Sequence, residues 1–456
     1  MEAVRERGRR IARSIARTSP LAILVIGWLG LVLYAYPGYM SYDSVLQLQE
    51  ARADVYSNWH PPAMAELWRF VEYVIAGPFG MLVLQSTSFL AGAHLLLRRA
   101  MAPRAAAICA SLLLWFPPVS TSMAVIWKDS QMMGYLLLGT ALLLSERRPV
   151  RLVGLLVLAV STAMRHNALT MTFPIVLLLF VWTIGHRGWR RYAISLAAWI
   201  GITGCAQLVN VALTTNDQHV WHGSIALIDI VGTLRYAEPM SDAELRPILE
   251  GTPVVPKDGF QAAAKAVYRP EFMFDTMWAT NKFFDAPSTD AQRAAVTRAW
   301  KSIVLEHKGA YLRYRADVMR KVLQLSRKPV PSSIYVWFTD IQDPVGSAGR
   351  LQHNASRSAF QIPLQTLMLK LGTSWLYRPY LYLFILLALA PLWIRNRETL
   401  AIALMGISSE AALFVLTSTP DFRYSLPLVI SAMLVVMILI ARRSRRARPG
   451  LAASEA

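Results

Sequence analysis

Long apolar runs separated by short polar breaks occupy most of the 456-residue chain. A helix needs roughly 20 mostly apolar residues to cross a hydrocarbon core of about 30 Å, and fewer where neighbouring helices cover its ends. Runs of this kind fall near 18–36, 79–97, 104–120, 130–145, 150–164, 167–185, 192–213, 376–394, 399–417 and 425–441. They predict an all-α membrane protein of about ten transmembrane helices. The first run is too long, and too poorly followed by small residues, to be a cleaved signal, so it reads as a permanent helix. The stretch 61–76 differs. Met64, Leu67, Val71, Val74 and Ile75 share one helical face, while Glu66, Arg69 and Glu72 interrupt the other, which predicts a helix lying in the interface.

The pattern divides the chain into a basic N-terminus (1–17), a transmembrane module (18–213) with a first external loop (37–78), an external cap (214–375), the C-terminal transmembrane helices (376–441) and a basic tail (442–456). The cap is mixed in charge, carries Pro and Gly throughout, and includes an amphipathic helical stretch near 291–326. A structureless loop of that length is unusual, so it is read as ordered.

Composition agrees with this reading: 55% of residues are apolar, only 16% are charged, and mean hydropathy is +0.36. The two cysteines, Cys109 and Cys205, both sit inside apolar runs, which excludes a disulfide framework or a cysteine metal site. The net charge of +19 first suggests an acidic partner. Sorted by side, it follows the positive-inside rule. The loops and tails assigned to the cytoplasm hold 22 basic residues, Arg5, Arg98, Arg147, Arg187, Arg395, Arg442 and Arg448 among them, against 5 acidic ones. The charge therefore reports orientation, with both termini cytoplasmic, and does not predict nucleic-acid binding.

The informative polar residues are those at the opposite, outer helix ends. Asp43 follows the first span; it is either part of a helix N-cap with Ser41 or a carboxylate placed to take a proton from an acceptor hydroxyl. His60 stands in Trp59-His60-Pro61-Pro62, where the prolines start the flat helix and hold the imidazole on a stiff turn. Lys128 and Asp129 open a span after a very short loop. Arg165, His166 and Asn167 fill a tight hairpin between two spans. Asp421 and Arg423 join the last two spans, either paired with each other or with Arg423 as a planar fork for phosphate. Glu410 lies in the outer half of a span and needs a partner, one of these arginines being the plain choice. No P-loop, dinucleotide fingerprint, His-Glu-x-x-His or Gly-x-Ser-x-Gly is present. Asn354-Ala355-Ser356 matches a short glycosylation acceptor pattern.

An acid in the first external loop, interfacial helices in that loop and a multispan bundle behind it resemble the GT-C class of membrane glycosyltransferases. The likeness is to the branch of protein O-mannosyltransferases, lipid A aminoarabinose transferases and related bacterial polyprenyl-phosphate-sugar transferases. It covers roughly 20–215, with Asp43 matching the first-loop acid and 61–76 the juxtamembrane helix. The resemblance implies sugar transfer from a polyprenyl-phosphate donor to a glycan, lipid or protein acceptor on the extracytoplasmic face of a bacterial inner membrane. Asp43 would be the base and His60 its orienting partner or reserve base. Lys128, Arg165 and Arg423 would hold the donor phosphate, supported by Asp129, His166, Asn167, Asp421 and Glu410. Two features depart from that branch: Ser44 follows Asp43 where a second acid is frequent, and the external mass stands at 214–375. No motif requires a cofactor; a divalent cation between Asp43 and Asp129 is an open alternative. An O-antigen polymerase or ligase, a lipid-linked glycan transporter and a non-catalytic assembly protein are the competing readings.

Overall fold

The computed structural model describes residues 18–183, 185, 188–325, 334–339 and 357–447. The basic N-terminus 1–17, Arg187, Asn354 and the tail from Arg448 lie outside the described residues. Among the described residues the fold is all helical, with isolated β-bridges and no named strand.

Helices stand at all ten apolar runs. In chain order α1 is Pro20–Ala35; the first loop holds α2 (Tyr42–Ala53) and α3 (Ala63–Glu72); α4 is Phe79–Arg98. Then come α5 (Pro103–Trp115), α6 (Pro117–Met123), α7 (Lys128–Leu143), α8 (Arg148–Met164), α9 (Ala168–Leu179) and α10 (Trp189–Leu213). Among the described residues four helices are long and apolar enough to cross a membrane: α4, α10, Arg397–Leu416 and Phe422–Arg445. A fifth joins them if α5 and α6, bent by 72°, count as one span. By length and composition the expected ten spans are therefore not reached. Prolines stand at two of the breaks. Pro117 and Pro118 break the third run, since a ring without N–H cannot continue the ladder, and Pro391 follows the break between Pro379–Ala388 and Ala390–Trp393.

The first loop is held against the bundle by backbone pairing that its sequence does not advertise. Tyr39 N–H donates to the Ala124 carbonyl (3.0 Å) and Ile126 N–H to the Tyr39 carbonyl (2.9 Å), which brings the start of α2 beside that of α7. Ser41 and Ser44 then close a capping box on α2. The flat helix is shorter than expected. It buries Met64, Ala65 and Trp68, but Val74 is 84% exposed, because the chain leaves the helix after Glu72. There Gly77, at φ +80°, donates its N–H to the Glu72 carboxylate (2.9 Å).

α4 and α7 pack very closely. A Cβ on Gly92 would stand 2.4 Å from the Leu138 nitrogen, and one on Gly134 would stand 2.6 Å from the Gln85 carbonyl. Gln85 and Gln131 fasten the same seam, with the Gln85 amide donating to the Met123 and Val125 carbonyls (2.8 and 2.9 Å) ahead of Lys128.

The cap forms its own core. α11 (Ala226–Tyr236) runs through it, burying Leu227, Ile230, Val231 and Leu234 against Phe283, Phe284, Tyr314 and Val318. The amphipathic stretch appears as α15 (Asp290–Trp300) and α16 (Lys308–Val322), counting Asp242–Leu249, Phe260–Val267 and Asp275–Trp278 as α12 to α14. Val336, Phe338 and Met368 pack in the core of the bundle, not of the cap.

Helix ends sort by charge. At one end Glu398 receives Arg99 (2.7 Å) and Arg442 (2.9 Å), and Arg104 donates to the Thr18 carbonyl (3.1 Å).

Candidate functional site

α2 places Asp43 in its first turn, where the Ser41–Ser44 box already satisfies the helix start. The Asp43 carboxylate is therefore released from capping. Its Oδ2 takes an ion pair from Arg423 Nη2 (2.8 Å), and its Oδ1 lies 3.5 Å from His60 Nε2. Arg423 also pairs through Nε with Asp421 (2.9 Å), so one guanidinium is shared by two carboxylates. The Trp127 ring lies 4.7 Å below that guanidinium, while Trp127 Nε1 donates to Ser41 Oγ (2.7 Å).

Lys128 Nζ contacts His60 Nδ1, and Arg165 is paired with Asp129, whose side chain is almost wholly buried. Arg165 lies 4.4 Å from the centre of the Tyr424 ring, which fixes the plane of its fork. Seven of the expected residues, Asp43, His60, Lys128, Asp129, Arg165, Asp421 and Arg423, thus form one connected cluster from four separated parts of the chain.

The remaining three differ. His166 is exposed at the rim. Asn167 is buried, with its Oδ1 unpartnered. Glu410 accepts from Ser425 Oγ (3.0 Å), and among the described residues it pairs with no arginine, the partner expected for it. A cleft of about 530 Å³ in the cap, bounded by Pro247, Thr252 and Phe260, includes none of the cluster.

The electrostatics sharpen the roles. Burial alone raises the Asp43 carboxyl, but Arg423, then His60 and Lys128, outweigh it and hold it well below the usual carboxylate range. Burial lowers His60 to about 4, helped by the Lys128 charge and opposed by Asp43. The imidazole is neutral near pH 7. With Nδ1 accepting from the ammonium, its own proton sits on Nε2 and faces Asp43. Nδ1 is engaged by Lys128, while Nε2 lies 3.5 Å from the Asp43 carboxylate without a hydrogen bond, a placement that suits a residue orienting that carboxylate. Burial raises Asp421, with Arg423 opposing.

Three cations face three carboxylates, Asp43, Asp129 and Asp421. None of the expected phosphate-binding cations stands alone, and an anion entering here must compete for Arg165 and Arg423 with their carboxylates. The alternative of a divalent cation gains no donor set: Asp43 and Asp129 are each held by an arginine, and among the described residues no three His, Cys, Asp or Glu side chains gather as ligands.

Sequence reasoning passed over two polar residues on the same helix, Gln47 and Glu50. Their spacing from Asp43 (i+4, i+7) is the signal that finds them. Comparison with protein-family models, curated protein sequences and solved structures finds no match to this chain.

Proposed function

We propose that the protein is an integral membrane glycosyltransferase of GT-C type, moving a sugar from a polyprenyl-phosphate donor to a glycan, lipid or protein acceptor. The observation that carries this reading is the convergence of Asp43, His60, Lys128, Arg165 and Arg423 at the bundle end opposite the Arg99–Glu398–Arg442 cluster.

In this reading all ten helices span a bacterial inner membrane, the short ones with their ends covered by neighbours. The basic end is cytoplasmic and the site extracytoplasmic. The donor's tail lies between helices, and its phosphate engages Lys128, Arg165 and Arg423. An acceptor hydroxyl attacks the anomeric carbon as the bond from that carbon to the phosphate oxygen breaks, inverting configuration. The leaving phosphate takes the bonding electrons and is stabilised by the cations, a term that is commonly the largest in such chemistry. Asp43 receives the hydroxyl proton. A carboxylate held so acidic is a weak base at rest, but a phosphate that draws Arg423 away raises its proton affinity when the donor is bound.

Transfer of labelled sugar from synthetic polyprenyl-phosphate monosaccharides by the purified protein tests the reading. Asp43→Asn is expected to lose about 10²-fold or more in rate, the usual range for a removed general base, and Arg165→Ala to weaken donor binding. Full activity of Asp43→Asn removes the base from this scheme. Consumption of diphosphate-linked oligosaccharide alone replaces it with the polymerase reading.

A further inference from the structure

Asp43, Gln47 and Glu50 fall within about 60° of arc on α2 at 100° per residue and form one polar stripe. Asp43 is engaged as described. Glu50 accepts from Ser57 N–H (3.0 Å) and Ser57 Oγ (2.6 Å) through Oε1, and it interacts electrostatically with Lys128, which also meets His60. Gln47, between them, is 0% exposed, and neither its amide nitrogen nor its amide oxygen has a partner. Glu50 Oε2, His60 Nε2, Asp129 Oδ2 and Asn167 Oδ1 are likewise buried without hydrogen bonds.

Such orphans are rare in folded proteins, because each loses its hydration with nothing in return. Others occur elsewhere in the molecule, but those on Gln47, Glu50, His60, Asp129 and Asn167 lie in and beside the charged cluster and leave it polar atoms for a polar ligand to complete. The chemistry of the stripe says what. A carboxamide offers a donor and an acceptor side by side, and the Glu50 carboxylate accepts only. Both match vicinal hydroxyls. A phosphate would meet two carboxylates here, and it has its own cations in Lys128 and Arg165.

We propose that Gln47, seconded by Glu50, is the hydroxyl-recognition subsite of this centre, binding the sugar ring while the cations bind the phosphate. The assignment of the hydroxyls to a lipid-linked sugar rests on the function proposed above. Gln47 is a specificity residue in this assignment and takes no part in bond making.

The test compares wild type, Gln47→Met and Arg165→Ala in nanodiscs. Two kinds of probe are titrated: decaprenyl phosphate, and decaprenyl-phosphate mannose, glucose, galactose and arabinose. Gln47→Met keeps the volume and removes both orphaned atoms. It is expected to leave the lipid-free melting temperature unchanged or raised and to bind decaprenyl phosphate as wild type does. It should bind the preferred sugar-bearing lipid at least tenfold more weakly, whereas Arg165→Ala weakens both kinds of probe. A lowered melting temperature, or equal effects on the two kinds of probe, assigns Gln47 to folding and overturns the subsite. If wild type binds none of these lipids, the proposed function fails, and saturation-transfer NMR with the four free methyl glycosides then decides the subsite separately. Transfer in wild type that is lost in Gln47→Met retains it, and no transfer in wild type removes it.

Discussion

His60 shows how a single side chain records its surroundings. Its proline neighbours suggested a rigid turn, and the structure adds that the ring is 5% exposed between Lys128 and Asp43. With its pKa lowered from 6.5 to about 4, the folded state refuses a proton that the unfolded chain accepts. Stability is therefore full above pH 6.5 and declines as the pH falls from there toward 4, by about 3 kcal/mol at ~1.4 kcal/mol per unit. The Asp43 shift is in the same direction but starts from the carboxylate range, so its contribution is lost only as the pH falls through and below that range, and the two windows separate. Melting temperatures of wild type and His60→Gln between pH 7 and 4 are expected to converge as the pH drops, since the variant lacks this titration. Parallel curves would mean that His60 titrates like a solvated histidine. Asp43, Arg165 and Arg423 were legible as residues because each is a charge at an outer helix end. Gln47 was not, because an uncharged polar residue in a short loop helix has no such contrast with its neighbours.

At the scale of elements, helices stand at the ten apolar runs, but periodicity showed neither the bends nor the helix Gln361–Leu371 that packs Met368 into the bundle core, and it missed the connection that matters most for the site. The apolar pattern of α5 runs on through Phe116, where two prolines turn the chain by 72° into the buried α6. Nor does any local signal pair Tyr39 with Val125, or seat the cap on the loop between the last two helices. The second contact is held by Arg315, buried in α16, which pairs with Asp229 of α11 (2.6 Å) and donates to the Thr417 carbonyl (2.9 Å), four residues before Asp421. Trp300 Nε1 donates to the other Asp229 oxygen (3.0 Å). Removing one member of a buried pair strands its partner's charge, at a cost of about 3–5 kcal/mol. Arg315→Met is expected to destabilise by that order and to reduce activity by loosening the loop that carries Asp421 and Arg423. The double variant Arg315→Met/Asp229→Asn should recover much of the stability and little of the activity, because the Thr417 carbonyl remains unbound. Additive losses in a double-mutant cycle of melting free energies would show that the pair is not a coupled unit.

For the whole molecule, net charge and its distribution lead to different conclusions. Taken as a total, +19 suggests an acidic ligand. In the fold, Arg99, Arg104 and Arg442 collect at one end of the bundle, while Lys128, Arg165 and Arg423 collect at the other, each matched by a carboxylate or imidazole. Among these residues the excess of positive charge lies at the end without the candidate site, where Arg99 and Arg442 share the single carboxylate of Glu398, and this is the arrangement the positive-inside rule requires if the site faces outward. The cap, folded around α11 and anchored to Thr417, then lies on the outer side with the site. Labelling with a membrane-impermeant maleimide separates the two orientations. With Cys109 and Cys205 first replaced by Ala, a cysteine introduced at Asp258, exposed in the cap, is expected to react in intact cells. One introduced at Ala102, exposed between Arg99 and Arg104, should react only after the membrane is opened. The reverse pattern places the cluster of Asp43, Lys128, Arg165 and Arg423 in the cytoplasm, where nucleotide-linked sugars are available, and the argument for a lipid-linked donor then loses its topological basis.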